Sequence, residues 1–140
     1  MPHEEAKIKM LPVNEANALL PQIHLILRSL REQRATILRT QAQVEIEEMT
    51  GINSKGEVAP GAQMAIAKLM EAFHYQTRQF EEKLEELHQM GAHLKDLDKG
   101  IVDFYSQRGK EIVFLCWREG ESEIHHWHKL QGGYKNRQPL

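Results

Sequence analysis

From Ile66 to Leu94, apolar or small residues return in alternating steps of four and three, at Ile66, Met70, Phe73, Thr77, Phe80, Leu84, Leu87, Gly91 and Leu94. That spacing keeps a single stripe on one side of an α-helix, whereas a strand would scatter it over both faces. A helix with one apolar side needs a partner to hide it. Upstream, Ile23, Leu27, Leu30, Ile37 and Val44 fall on the same threes and fours, with Arg34 and Gln41 filling intervening seam positions. Asn14 is a favoured N-cap type, Glu15 suits the first turn of a helix, and Asn17 follows three residues beyond the cap. Pro21 lies close enough to this start to kink the helix without splitting it.

Between the two patterns, residues 51–61 hold three glycines, Asn53, Ser54 and Pro60, which is too much turn chemistry for a continuous helix. The expectation is therefore a helix over 14–50, a loop over 51–61 and a second helix over 62–94, lying antiparallel because the loop is short. Leu20, Ile26, Leu38, Met64 and Leu69 widen the apolar face beyond what one partner helix covers. A second copy of the chain would cover it, so the sequence predicts a homodimer forming a four-helix bundle, or a higher symmetric oligomer.

The period changes in the C-terminal third. Ile101–Tyr105 and Glu111–Trp117 are rich in branched and aromatic residues, and Gln107–Lys110 between them suits a hairpin turn. A further turn at Glu119–Glu121 leads into Glu123–His128, which reads equally as a third strand or a short helix. Residues 132–139 are loop-like, with Tyr134 and Arg137 available to tack them onto the strands. Near the amino terminus, residues 7–11 alternate loosely ahead of Pro12 and predict a short edge strand. The class that follows is α+β, mainly α: a single domain over 1–140 in which a long helical hairpin carries a small antiparallel β-rich cap over 95–140.

Composition narrows the function classes. Lys and Arg total 18 against 20 Asp and Glu, a net charge of -2, which argues against general attraction to nucleic acid or anionic membranes. The apolar runs are short and broken by charge, and the amino terminus has no signal-peptide pattern, so a cytoplasmic address is expected and no membrane span. A single cysteine, Cys116, excludes an internal disulfide and a multi-cysteine zinc framework.

The run Leu94-Lys95-Asp96, Gly100 to Phe104, Leu115-Cys116-Trp117, Gly120-Glu121, Ile124, Trp127-His128 and Arg137-Gln138-Pro139, with Glu15-Ala16-Asn17 and Leu19-Leu20-Pro21 upstream, resembles the bacterial and archaeal domain-of-unknown-function family numbered 2203. The departures are Leu11-Pro12, where the family tends to have an aromatic and then a hydroxyl residue, and His125-His126, which fall at variable positions. The resemblance implies a shared fold and a shared polar constellation, and no particular reaction.

The cap concentrates Asp96, Asp98, Asp103, Cys116, Glu121, Glu123, His125, His126 and His128, the carboxylate, thiolate and imidazole groups that bind transition metals. On a strand, His126 and His128 share one face while Glu123 and His125 share the other. The expected site takes His128 and Glu121 from positions matching the family, with Asp103 and Cys116 reaching in from neighbouring strands, and holds a divalent transition metal such as zinc or iron. The plainer alternative makes Cys116 a small buried hydrophobe, Trp127 core filling and His128 a structural hydrogen-bonding group. A nucleophilic Cys116 assisted by His128 would need an exposed, stabilised thiolate.

Arg137 is the best anion anchor, set among Lys95, Arg108, Arg118, Lys129 and Lys135 and the aromatics Tyr105, Trp117, Trp127 and Tyr134. The Glu-x-x-His spacing of di-iron bundles is found on the second helix, as at Glu85 and His88, with no matching pair on the first, so the helical glutamates and His74 read as a solvated face. Two functions remain: a cap that binds a metal ion or small anionic ligand, or a homo-oligomeric assembly or partner-docking module without a ligand site.

Overall fold

The computed structural model describes residues 8–140. Helix α1 spans Val13–Thr50 and α2 Pro60–Gln89; five strands follow, β1 Ala92–Asp96, β2 Ile101–Arg108, β3 Glu111–Arg118, β4 His126–His128 and β5 Gln138–Pro139, with a short 3-10 turn at Tyr134–Asn136. The sheet is an antiparallel meander in the order β1-β2-β3-β4-β5. The chain is thus α+β and mainly α, a helical pair followed by a C-terminal antiparallel sheet. It forms two compact units, Met1–Arg28 with Leu84–Leu140, and Ser29–Lys83. Both helices contribute residues to both units, which are described separately below as the sheet unit and the hairpin unit.

The second helix stops earlier than its seven-residue pattern. Its last residue is Gln89, and Leu94, the final position of the stripe, lies in β1. Gly91 explains the break: it sits at φ 93, where side-chain-bearing residues are strained. Its backbone is also tight against Leu11, whose Cδ1 would lie 2.9 Å from an added Cβ. The first helix starts at Val13, with Ala16 N–H donating to the Pro12 carbonyl at 3.0 Å, so Pro12 rather than Asn14 precedes the first turn. Asn17 does not cap. Its Oδ1 accepts the Ile124 N–H at 2.7 Å, tying α1 to the connection before β4. Pro21 is accommodated inside a continuous helix.

Of the expected N-terminal edge strand, Lys7 lies outside the described residues and Ile8–Leu11 are irregular. One backbone bond, Leu11 N–H to the Tyr105 carbonyl at 2.8 Å, fastens this segment to β2.

In the sheet unit, one face carries Val102, Phe104, Ser106, Val113, Leu115, Trp117 and Trp127, all buried. Ala16, Leu20, Ile23, Ile26 and Leu27 of α1 and Leu87 of α2 are the buried apolar residues that the helices add to this unit. Each such large side chain removed from water contributes roughly 1.5–3 kcal/mol. His24 Nδ1 lies 2.6 Å from Glu119 Oε2 at the edge of this layer.

The hairpin unit is built differently. Leu30, Thr40, Val44 and Ala62 are its buried residues, while Ile37, Ile66, Phe73, Thr77 and Phe80 of the two stripes are half-buried. Gln33 Oε1, Gln76 Oε1 and Thr77 Oγ1 are buried without a hydrogen-bond partner. In the loop, Asn53 Oδ1 accepts the N–H groups of Lys55 and Glu57, and Ile52 bridges Val58. No helix among the described residues is long and apolar enough to cross a membrane.

Candidate metal and ligand site

Strand register assembles the site on the sheet's other face. Asp103 in β2 stands directly opposite Cys116 in β3, Cys116 opposite His126, and Phe114 opposite His128 in β4. Because faces alternate, Asp103, Cys116, His126 and His128 point the same way. The open choice over 123–128 resolves as a strand of three residues, His126–His128, preceded by irregular chain, and Glu123 and His125 take no part.

Asp103, Cys116 and His128 are all buried, at 2%, 0% and 2% exposure, and one ligand atom from each lies within 4.8 Å of the others. The His128 Nε2 to Asp103 Oδ2 separation is 2.9 Å, while Asp103 Oδ1 has no partner. At Nδ1, His128 has two neighbours of opposite polarity: the Lys129 carbonyl at 2.7 Å and the Gly133 N–H at 3.1 Å. With the proton on Nε2, the ring donates to Asp103 and accepts from Gly133. With the proton on Nδ1, it donates to Lys129 and leaves an Nε2 lone pair among Asp103 and Cys116. Either tautomer has a partner ready, and the second is the arrangement that metal-bound histidines use.

Burial, and then the Asp103 carboxylate alongside, push the Cys116 thiol up to about 12, opposed by the Arg137 guanidinium. That is the reverse of what a nucleophile needs, and together with full burial it removes the Cys116–His128 nucleophilic reading.

Glu121 is not in the cluster. It lies in the β3–β4 connection, where its Oε1 accepts the Arg118 N–H at 2.6 Å. Arg137 Nη1 donates to its two oxygens at 3.0 and 3.2 Å, and His126 Nδ1 lies 3.5 Å away. Arg137, expected to anchor a ligand anion, therefore holds an anion of its own chain. Burial alone would lower the Arg137 guanidinium, but the hydrogen bond and charge of Glu121 outweigh it and raise it. Its guanidinium stacks on Tyr134 at 4.3 Å, and the Tyr134 hydroxyl accepts from Arg118 Nη1 at 3.1 Å, so the tail is tacked onto the sheet through the two residues the sequence singled out.

Over Asp103 and His128 opens a cleft of about 580 Å³, lined also by Lys95, Asp96, Lys99, Ile101, Phe114 and residues 130–136. Lys95 sits at the break in the β1–β2 register, and its ammonium lies 5.2 Å from the centre of the Phe114 ring. Asp96 Oδ1 accepts the Lys99 N–H at 2.9 Å, shaping the turn into β2. Sequence reasoning singled out Lys95 and Lys135 but not Lys99 or Phe114. The available signal was two lysines flanking a short Asp-led turn.

A row of rings continues across this face: His88 stacks on His93 at 5.5 Å, His93 meets Tyr105 at 5.0 Å, Tyr105 meets Phe114 at 4.4 Å, and Phe114 meets His128 at 5.4 Å. Burial, with His88 and Lys95 nearby, lowers His93.

No curated protein and no solved structure matches the chain. A family model does, over residues 9–140, described as "Uncharacterized conserved protein (DUF2203)". A match over nearly the whole chain places the sheet and both helices inside the same unit of descent, and the chain belongs to the DUF2203 family.

Proposed function

We propose that the sheet unit is a metal-binding module in which Asp103, Cys116 and His128 hold a divalent transition metal such as zinc or iron. The observation that carries this reading is a wholly buried carboxylate with an unpartnered oxygen, set beside a buried thiol and a buried imidazole. Leaving a buried carboxylate oxygen unpaired costs about 1–3 kcal/mol or more, and a bound cation relieves that cost. Bonds of 2.0–2.3 Å to a tetrahedral zinc would set the ligand atoms about 3.3–3.6 Å apart, so the 2.9 Å hydrogen bond opens only slightly.

Cysteine and histidine favour zinc, and three protein ligands with a fourth position free match reactive rather than purely structural zinc sites. The Arg137 guanidinium next to Cys116 steadies the thiolate that a metal requires. Reconstitution of chelator-treated protein with zinc or cobalt is expected to give one metal per chain and, for cobalt, a thiolate charge-transfer band. Affinity should rise roughly tenfold per pH unit near neutrality as Cys116 gives up its proton. His128→Ala and Cys116→Ser should each lose the metal. A wild-type protein that stays metal-free under these conditions would end this reading.

We also propose, for the hairpin unit, self-association into a homodimer. Its support is the half-buried stripe of Phe73, Phe80 and Ile66 together with exposed Leu38, Ile46, Met49 and Met64. A unit with so few buried apolar residues gains most from a second copy. Light scattering at micromolar concentration should give twice the monomer mass, and a monomer mass there rejects the proposal.

A further inference from the structure

The lysines around the cleft are the part of this face that the metal reading does not use. Lys95, Lys99 and Lys135 line it, and among the described residues the close acid–base contacts His24–Glu119, His126–Glu121, His128–Asp103 and Arg137–Glu121 involve none of the three. Two carboxylates share the lining. The Asp96 carboxylate already accepts the Lys99 N–H, and Asp103 belongs to the cluster. Once a divalent cation balances Asp103 and the Cys116 thiolate, Asp96 is the carboxylate of the lining that still opposes the three ammonium groups. The rest of the wall is apolar or aromatic, from Ile101, Phe114 and Leu130, and its size suits a small molecule.

We propose that this cleft takes a small organic anion, with a phosphate or carboxylate group held by Lys95, Lys99 and Lys135 and a flat apolar body against Phe114 and Leu130. The inference deepens the metal reading, and rests on it only for the neutralised floor. An anionic end seated among the lysines lies on the side of the site where Asp103 and His128 reach the cleft. Point-charge ammonium groups on flexible stems hold an oxyanion without demanding one geometry, so phosphate monoesters and free carboxylates are alternative sources of the same chemistry.

Titration of zinc-loaded and metal-free full-length protein with phenyl phosphate, benzoate and neutral benzyl alcohol tests this, read by calorimetry at low salt. Phenyl phosphate or benzoate should bind and benzyl alcohol should not, and the stronger of the two anions identifies the oxyanion class. The K95A/K99A/K135A variant should bind the anion at least about tenfold more weakly while keeping its zinc stoichiometry and melting temperature. Because Lys99 is exposed, K99E alone provides a folded control and should weaken binding in the same direction. Equal binding of the neutral alcohol, or unchanged anion affinity in the lysine variants, overturns the proposal. Lysine-dependent anion binding in a protein that takes up no zinc would sink the metal reading and keep this one. Zinc uptake without lysine-dependent anion binding would do the opposite.

Discussion

The two units solve the same problem with unequal means. In the sheet unit Val102, Phe104, Ser106, Val113, Leu115, Trp117 and Trp127 of three adjacent strands are buried on one face, and a carboxylate, a thiol and an imidazole are buried on the other. In the hairpin unit Leu30, Thr40, Val44 and Ala62 are the buried residues, and buried amide and hydroxyl oxygens go unpartnered. A surplus of burial lets the sheet unit carry a polar cluster in its interior; the hairpin unit has no such surplus. The difference teaches where a functional site is affordable in this chain and where a second copy is wanted.

The sharpest way to break that comparison is a pair of truncations. Phe104→Ala, in the filled face of the sheet, should cost about 3–5 kcal/mol by chemical denaturation. Phe73→Ala, half-buried in the hairpin, should cost about 1–2 kcal/mol if the hairpin stands alone. A dependence of the second value on protein concentration would show that a partner copy covers Phe73. Equal costs at all concentrations would erase the distinction between the units.

Asp103→Asn is next in size. It leaves the shape intact but replaces an acceptor at the His128 contact, and should cost about 1–3 kcal/mol in metal-free protein and abolish metal uptake. Gly91→Ala should cost about 1–2 kcal/mol, through the positive φ and the Leu11 contact together, with the melting temperature as the readout. Gln76→Leu has the opposite sign. Replacing an amide whose buried oxygen has no partner by an apolar group of similar size should stabilise the hairpin by about 0.5 kcal/mol, and a loss would mean that the amide has a partner across a dimer interface.

The smallest effect at neutral pH comes from Cys116. Its thiol keeps its proton in the folded protein up to about 12 but loses it near 9 when unfolded. The folded state therefore binds more protons in that window, and metal-free stability falls as pH rises through it, with nothing lost below. His93 acts in the other direction: lowered in the fold, it contributes stability above the ordinary imidazole value that is lost as pH falls. In Cys116→Val the alkaline loss should shrink, and an unchanged alkaline limb would show that other groups govern it.

Much of the fold was legible because it depends on short-range periodicity. The stripe of α2, the dense turn chemistry between the helices and the β2–β3 hairpin follow from residue spacing. The end of α2 was not, because Gly91 fills a seam position in a one-dimensional pattern as well as alanine would, and only its backbone angle and the proximity of Leu11 reveal a stop. Asn17 shows the same limit: a polar residue near a helix start has a local use as a cap, yet its amide oxygen is taken by Ile124, far along the chain. The candidate site was legible in part. Asp103, Cys116 and His128 come together as their strands pair, whereas Glu121, expected in the site from a position matching the family, is claimed instead by Arg118 and Arg137.

What the sequence by itself determined is therefore the set of elements, two long helices and a run of short strands, and the stock of chemically able side chains near the carboxyl end. Only the tertiary structure decided which of those side chains meet. Periodicity is a property of neighbours a few residues apart, but a site depends on strand register, and a shift of one residue would turn Cys116 away from Asp103 and give its place to Leu115 or Trp117.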